Sequence, residues 1–133
     1  MNKQDHKDLK GYFNYPLITI SVAFENLDAV RFLVEQKGMD VNEVAANKET
    51  ALIRACHFNR LEIIRYLLGR GANLEMRTSQ DVSALLTAIY RKKLPIIEEL
   101  LLQGAEINLE SKNKQIMELV AQQQESLAHV QHF

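Results

Sequence analysis

The chain has 133 residues, 47% of them hydrophobic and 25% charged, the make-up of one globular domain with a continuous core. A formal net charge of −1 argues against a protein whose main task is to hold phosphate backbone, which calls for a basic stripe. No apolar run approaches the roughly 18 residues that span a bilayer. The opening residues lead into Asp8 and Lys10 rather than an apolar core, so no secretory signal is read, and the lone Cys56 has no partner for an internal disulfide. Both point to a cytosolic setting.

In chain order, a first helix is predicted over about residues 17–24, after Pro16, which is tolerated at a first helical turn. A second carries Leu27, Val30, Leu33 and Val34 and stops before Gly38. Residues 51–58 read as a short helix with Leu52, Ala55 and Cys56 on one face, too short to be stable alone. Asn59-Arg60 is the turn; Asn tolerates positive φ better than most residues. The next helix, about residues 61–68, is expected to point Leu61, Ile64, Leu67 and Leu68 inward, and Gly69 and Gly71 end it. A further pair spans Ala84 to Ile89 and Leu94 to Leu101, ending near Gly104. Last come the helical-looking residues 115–121 and a more polar stretch to Val130.

These elements repeat. Leu52 and Leu85, Leu61 and Leu94, and Gly71 and Gly104 each stand 33 residues apart with no gap between. The unit ahead keeps the phase except for one extra residue in Glu35-Gln36-Lys37, because Leu27 to Leu61 is 34 while Gly38 to Gly71 is 33. A fixed period of this size marks a stacked array whose units bury apolar faces against their neighbours.

With this period and with Thr50-Ala51-Leu52 matched by Ser83-Ala84-Leu85, the chain resembles the ankyrin-repeat family over about residues 16–130. The resemblance implies an all-α fold, a short solenoid of about four helix-turn-helix repeats with degenerate terminal caps. The expected divisions are a segment 1–15, a capping repeat 16–43, repeats 44–76 and 77–109, and a capping repeat 110–133. There are departures. Ala51 and Ala84 replace the family's Pro, and Ile53 and Leu86 its His, so the family's hydrogen-bonded first turn is not expected in its usual form. Asn59 and Lys92 occupy the turn position of the family's Gly, and at Lys92 a strained or reshaped turn is expected.

Catalytic readings are thin. Cys56 and His57 are adjacent, but neighbouring helical residues diverge by about 100°, so they make no ready dyad, and Cys56 reads as a small buried packing group. His129 and His132 share a helical spacing without the further ligands a closed metal site needs. Gly69 and Gly71 are not followed by a P-loop Lys and Ser/Thr. Glu98-Glu99 reads as part of a solvated outer face. No enzyme activity, metal or cofactor is therefore expected.

Partners of the family usually meet the loop tips and the concave face of the first helices. By phase the tips are residues 44–49, 77–82 and 110–114, and the ends of the first helices place Phe24, His57-Phe58 and Tyr90-Arg91 in successive units. The candidate partner-binding residues are Asn47, Glu49, His57, Phe58, Arg77, Gln80, Val82, Tyr90 and Arg91. Tyr and Arg are enriched in binding hot spots, whereas Phe58 also gains by folding back into the array. The expected function is non-enzymatic binding of a folded protein by a free monomer, with no role for nucleic acid, membrane or small-molecule substrate. A module of this size with no attached domain acts most simply by occlusion, as a stoichiometric inhibitor or immunity-type protein. The alternative is an adaptor or host-directed effector that tethers its partner without blocking it.

Overall fold

Six helices form three antiparallel pairs in the computed structural model, which describes residues 15–106. They are α1 (Leu17–Ala23) with α2 (Leu27–Glu35), α3 (Ala51–His57) with α4 (Leu61–Gly69), and α5 (Ala84–Tyr90) with α6 (Leu94–Leu102). Among the described residues there is no strand. The short helices α1, α3 and α5 pack side by side as one layer, and α2, α4 and α6 form the second. The predicted fourth unit, its loop 110–114 and both His129 and His132 lie outside the described residues.

The first helices begin where a polar side chain satisfies an otherwise orphaned N–H group. Thr50 Oγ1 accepts from the Ile53 N–H at 3.2 Å, and Ser83 Oγ accepts from the Leu86 N–H at 3.2 Å. The first turn is thus hydrogen-bonded after all, by the Thr and Ser that immediately precede each helix. Pro16 caps α1 through its carbonyl, which accepts from the Thr19 hydroxyl at 2.7 Å.

The turns inside each pair keep one geometry despite lacking Gly. Glu25, Asn59 and Lys92 have φ of 56°, 60° and 55°. The following N–H in each turn, from Asn26, Arg60 and Lys93, reaches back to Ser21, Ala55 and Ala88 carbonyls at 2.9, 2.9 and 3.0 Å. Lys92 therefore leaves the turn's shape intact and carries its strain in a left-handed backbone that side chains disfavour. The extra residue before Gly38 is absorbed in a wider helix end. There the Met39 N–H bonds to Leu33 O at 2.9 Å, one residue further than the Ala72-to-Leu67 and Ala105-to-Leu100 bonds of the later units.

Leu52, Leu85, Ile64, Ile97, Leu67 and Leu100 are all buried, as their phase requires. Ala55, Cys56 and Ala88 are fully buried between the first helices, where small side chains let backbones approach. The inward set of α4 differs from expectation. Ile63 joins Ile64 and Leu67 in the core, while Leu61 and Leu68 are only half-buried. An outer helix must face both its own partner helix and the outer helices beside it, which widens and rotates its apolar stripe.

Polar groups fasten one unit to the next. Asn42 Oδ1 accepts from the Asn73 N–H at 2.8 Å, and Glu75 Oε1 accepts from the Glu106 N–H at 3.0 Å. On the outer layer the Tyr66 hydroxyl donates to Glu35 Oε2 at 2.7 Å, and Arg65 Nε donates to Glu99 Oε1 at 2.7 Å. Glu99 is therefore an inter-repeat fastener, with its side chain only 14% exposed, rather than a freely solvated carboxylate.

Candidate partner-binding face

Two loop tips overhang the layer of first helices. In one, the Lys48 N–H bonds to Ala45 O at 2.9 Å and the Ala45 N–H to Glu49 O at 3.0 Å. One period later the Asp81 N–H bonds to Thr78 O at 2.9 Å and the Thr78 N–H to Val82 O at 3.0 Å. Lys48 and Asp81 take the left-handed position in these tight turns, with φ of 63° and 65°. The tips are joined, since the Ser79 N–H donates to Asn47 O at 2.8 Å.

Beneath this joint, between the tips and helices α3 and α5, lies a cleft of about 470 Å³. Six of the nine predicted residues line it: Asn47, Glu49, His57, Gln80, Val82 and Tyr90. They form three pairs each one 33-residue period apart, Asn47 with Gln80, Glu49 with Val82 and His57 with Tyr90. Thr78 and Ser79 of the predicted 77–82 tip also line it, as do Ile53, Arg54 and Thr87, which the sequence reading missed. Ile53 precedes His57 by one helical turn, and Thr87 precedes Tyr90 likewise. That i, i+3 or i, i+4 relation to the named residues was the available signal.

The other three predicted residues lie outside the cleft. Arg77 binds its own loop, donating through Nη1 to Asp81 O at 3.2 Å with the Asp81 carboxylate 3.6 Å away. Phe58 is half-buried: its ring meets His57 edge-on at 4.8 Å and lies under the guanidinium groups of Arg54 at 5.2 Å and Arg60 at 5.9 Å. Arg91 is exposed just beyond the end of α5. The expected row of one aromatic per unit is out of step by one residue. Phe24, Phe58 and Arg91 are the cap residues of α1, α3 and α5, whereas Tyr90 is the last helical residue and corresponds to His57 and Ala23. Phe24 stays 79% exposed and Tyr90 52% exposed.

Charges inside the cleft are largely compensated. Arg54 Nη1 donates to Glu49 Oε1 at 3.0 Å, and Asn47 Nδ2 lies 3.4 Å from Glu49 Oε2. The Arg54 guanidinium also stacks 4.2 Å from the Tyr15 ring, and its buried Nε has no hydrogen-bond partner. Partial desolvation of the ring, then the positive charge of Arg91, holds the His57 pKa below its usual 6.5 although the residue as a whole is exposed; Glu49 pulls the other way. Cys56 is fully buried, and burial pushes its thiol far above the ordinary range. It packs inside while His57 is exposed, so the two form no nucleophile-base pair. Among the described residues no group of three or more His, Cys, Asp or Glu is arranged to hold a metal ion, and no helix is long and apolar enough to cross a membrane.

Comparison with known proteins places this geometry. A profile of three copies of ankyrin repeats matches residues 17–112. The serine/threonine-protein kinases TNNI3K of Mus musculus and Rattus norvegicus are 29% identical over 52 residues, which are 39% of this chain and 6% of each kinase. Among solved structures, the human ASB11 ankyrin repeat domain has a TM-score of 0.64 at 27% identity, covering 70% of this chain and 42% of that one. The chain thus spans less than half the length of these relatives, and the kinase match is confined to a short stretch.

Proposed function

Because this chain belongs to the ankyrin-repeat family, whose arrays are protein–protein interaction modules, we propose that it binds a folded protein through the cleft and the joined loop tips without catalysing a reaction. The observation that carries this reading is the coincidence of Asn47, Glu49, His57, Gln80, Val82 and Tyr90 in one concavity. A rigid, tied surface loses little ordering entropy on association, which favours affinity. The half-exposed Tyr90 supplies the kind of contact that dominates interfaces. The balanced charge favours a protein partner over nucleic acid, and the free protein is read as a cytosolic monomer.

The simplest consequence of occupying a partner's surface with no chemistry of one's own is to block it. Inhibition at one-to-one stoichiometry, as by an immunity-type protein, is therefore the first reading, and tethering by an adaptor or effector is the second. The test is affinity capture from native extract followed by titration of the captured partner's activity. A blocker abolishes activity at equivalence; a tether leaves it intact. Capture that Tyr90→Ala leaves undiminished would remove the cleft from the interface.

A further inference from the structure

Charges along the array are unequally paired. In the cleft Glu49 is paired with Arg54 at 3.0 Å, in the neighbouring tip Asp81 with Arg77 at 3.6 Å, and outside the cleft lining Glu25 in the turn of the first pair with Arg60 at 3.1 Å. The last of these joins successive units, because Arg60 opens α4 and Glu25 precedes α2. One period on, Lys93 takes the place of Arg60, but the place of Glu25 is held by Asn59. The fastening is therefore absent there. Arg91, Lys92 and Lys93 follow directly on Tyr90, and among the described residues none of them makes an ion pair. Arg91 and Lys92 are exposed and Lys93 is half-buried. Arg91 acts on a residue of the cleft, since after desolvation its positive charge is the largest cause that lowers the His57 pKa.

We propose that the partner presents an acidic segment, with Asp or Glu carboxylates meeting Arg91 and Lys93 while a neighbouring side chain enters the cleft beside Tyr90. The proposal rests on the reading of the cleft as a protein-binding face and adds the chemistry of the partner. Three cations that make no ion pair among the described residues, the first of them directly after the cleft residue Tyr90, match a carboxylate-bearing loop, and Arg91 offers it a planar fork of donors. An acid-rich partner also associates faster under electrostatic steering, an effect that salt removes.

The test uses the full chain, labelled with nitrogen-15, and four probes: tetra-glutamate, tetra-glutamine and tetra-lysine peptides and a four-nucleotide oligothymidylate. Tetra-glutamate is expected to shift the amides of His57 and Tyr90 to Lys93 in a saturable way. Its affinity should fall about tenfold in the Arg91→Glu, Lys93→Glu double variant and at least severalfold between about 50 and 300 mM salt. The milder Arg91→Gln, Lys93→Gln pair, checked for an unchanged melting curve, should give the same direction. Equal shifts with tetra-glutamine, shifts spread evenly over Arg31 and Arg65 on the outer layer, or no shift at Tyr90 to Lys93 up to about 10 mM peptide would overturn the proposal. Tighter binding of the oligothymidylate would turn it toward nucleic acid. Against a captured partner the two readings separate. Loss of binding with Tyr90→Ala but not with the charge reversals leaves the face standing and removes the acidic partner; loss with neither removes both.

Discussion

The Ser79 N–H and the Asn47 carbonyl, 2.8 Å apart, make one ledge of two loop tips from successive units. Each tip closes on itself, yet this bond sets their spacing and so the width of the cleft beneath. Ser79→Pro removes the donor and is expected to cost about 1 kcal/mol of stability, the usual net value of one hydrogen bond. Partner affinity should fall by more than that, because the cleft loses its shape. Denaturant melts and a binding titration check both. Unchanged affinity would mean that the tips do not act together.

The left-handed residue of the third turn predicts a gain. Lys92 at φ 55° carries a side chain in a conformation that Gly adopts freely. Lys92→Gly is expected to stabilise the fold by about 0.5–1 kcal/mol after the extra freedom of the unfolded chain is subtracted. Asn59→Gly at φ 60° should gain less, since Asn tolerates this region better. A melting series on both variants gives the order; a Lys92→Gly protein less stable than the parent contradicts it.

Leu67 and Leu100 are each fully buried at equivalent places in the outer layer. Truncating either to Ala leaves a cavity and is expected to cost about 2–5 kcal/mol, a large share of the stability of a small domain. Urea unfolding reads this directly, and an unchanged midpoint for either variant would show that its side chain is not in the core.

Acid should weaken the fold in two stages. His57 has its pKa held below 6.5 in the fold, by burial first and by Arg91 and Arg54 after it, against the pull of Glu49. The unfolded chain therefore takes up its proton first as pH falls, and stability is lost below about 6.5. Glu35, through its bond from Tyr66, and Glu99, through its bond from Arg65, have pKa values lowered from 4.5. Their contribution is present above 4.5 and is lost as pH drops through the lowered folded values. Melting curves between pH 7.5 and 5 should flatten in His57→Gln, while the loss below pH 4.5 should remain. A His57→Gln protein with the parent's slope across the upper interval would remove His57 from this linkage.

The period made the helix pairs and the core legible, because Leu52 and Leu85 or Leu67 and Leu100 must do the same job in successive units. Much of the cleft was legible for the same reason. What escaped has two causes. At Phe58 the contacts are local but polar: Arg54, one helical turn before it, and Arg60, two residues after it, both place guanidinium groups over its ring, which a count of apolar periodicity does not register. Ile63 enters the core because α4 faces two layers at once, which a one-sided helical stripe does not capture. The Thr50 and Ser83 caps were visible in principle, since both stand directly before an apolar helix.

The sharpest prediction separates the two faces of the stack. Tyr90 and Arg91 are exposed at the end of α5, outside the core cluster, so neither is needed to hold the repeats together. Tyr90→Ala and Arg91→Ala should each weaken partner binding by about 1–4 kcal/mol while leaving stability within about 1 kcal/mol. The control belongs on the outer helix, and the ion pair of Glu99 with Arg65 decides which residue serves. Glu99→Lys would break a fastener between α4 and α6, so a loss of binding there would confuse stability with contact. Glu98, which has no such fastening among the described residues, is the cleaner choice, and Glu98→Lys should leave affinity unchanged. Each variant is titrated against the captured partner and melted in parallel. If Glu98→Lys loses affinity while Tyr90→Ala and Arg91→Ala keep it, the partner grips the convex side and the cleft is not its site.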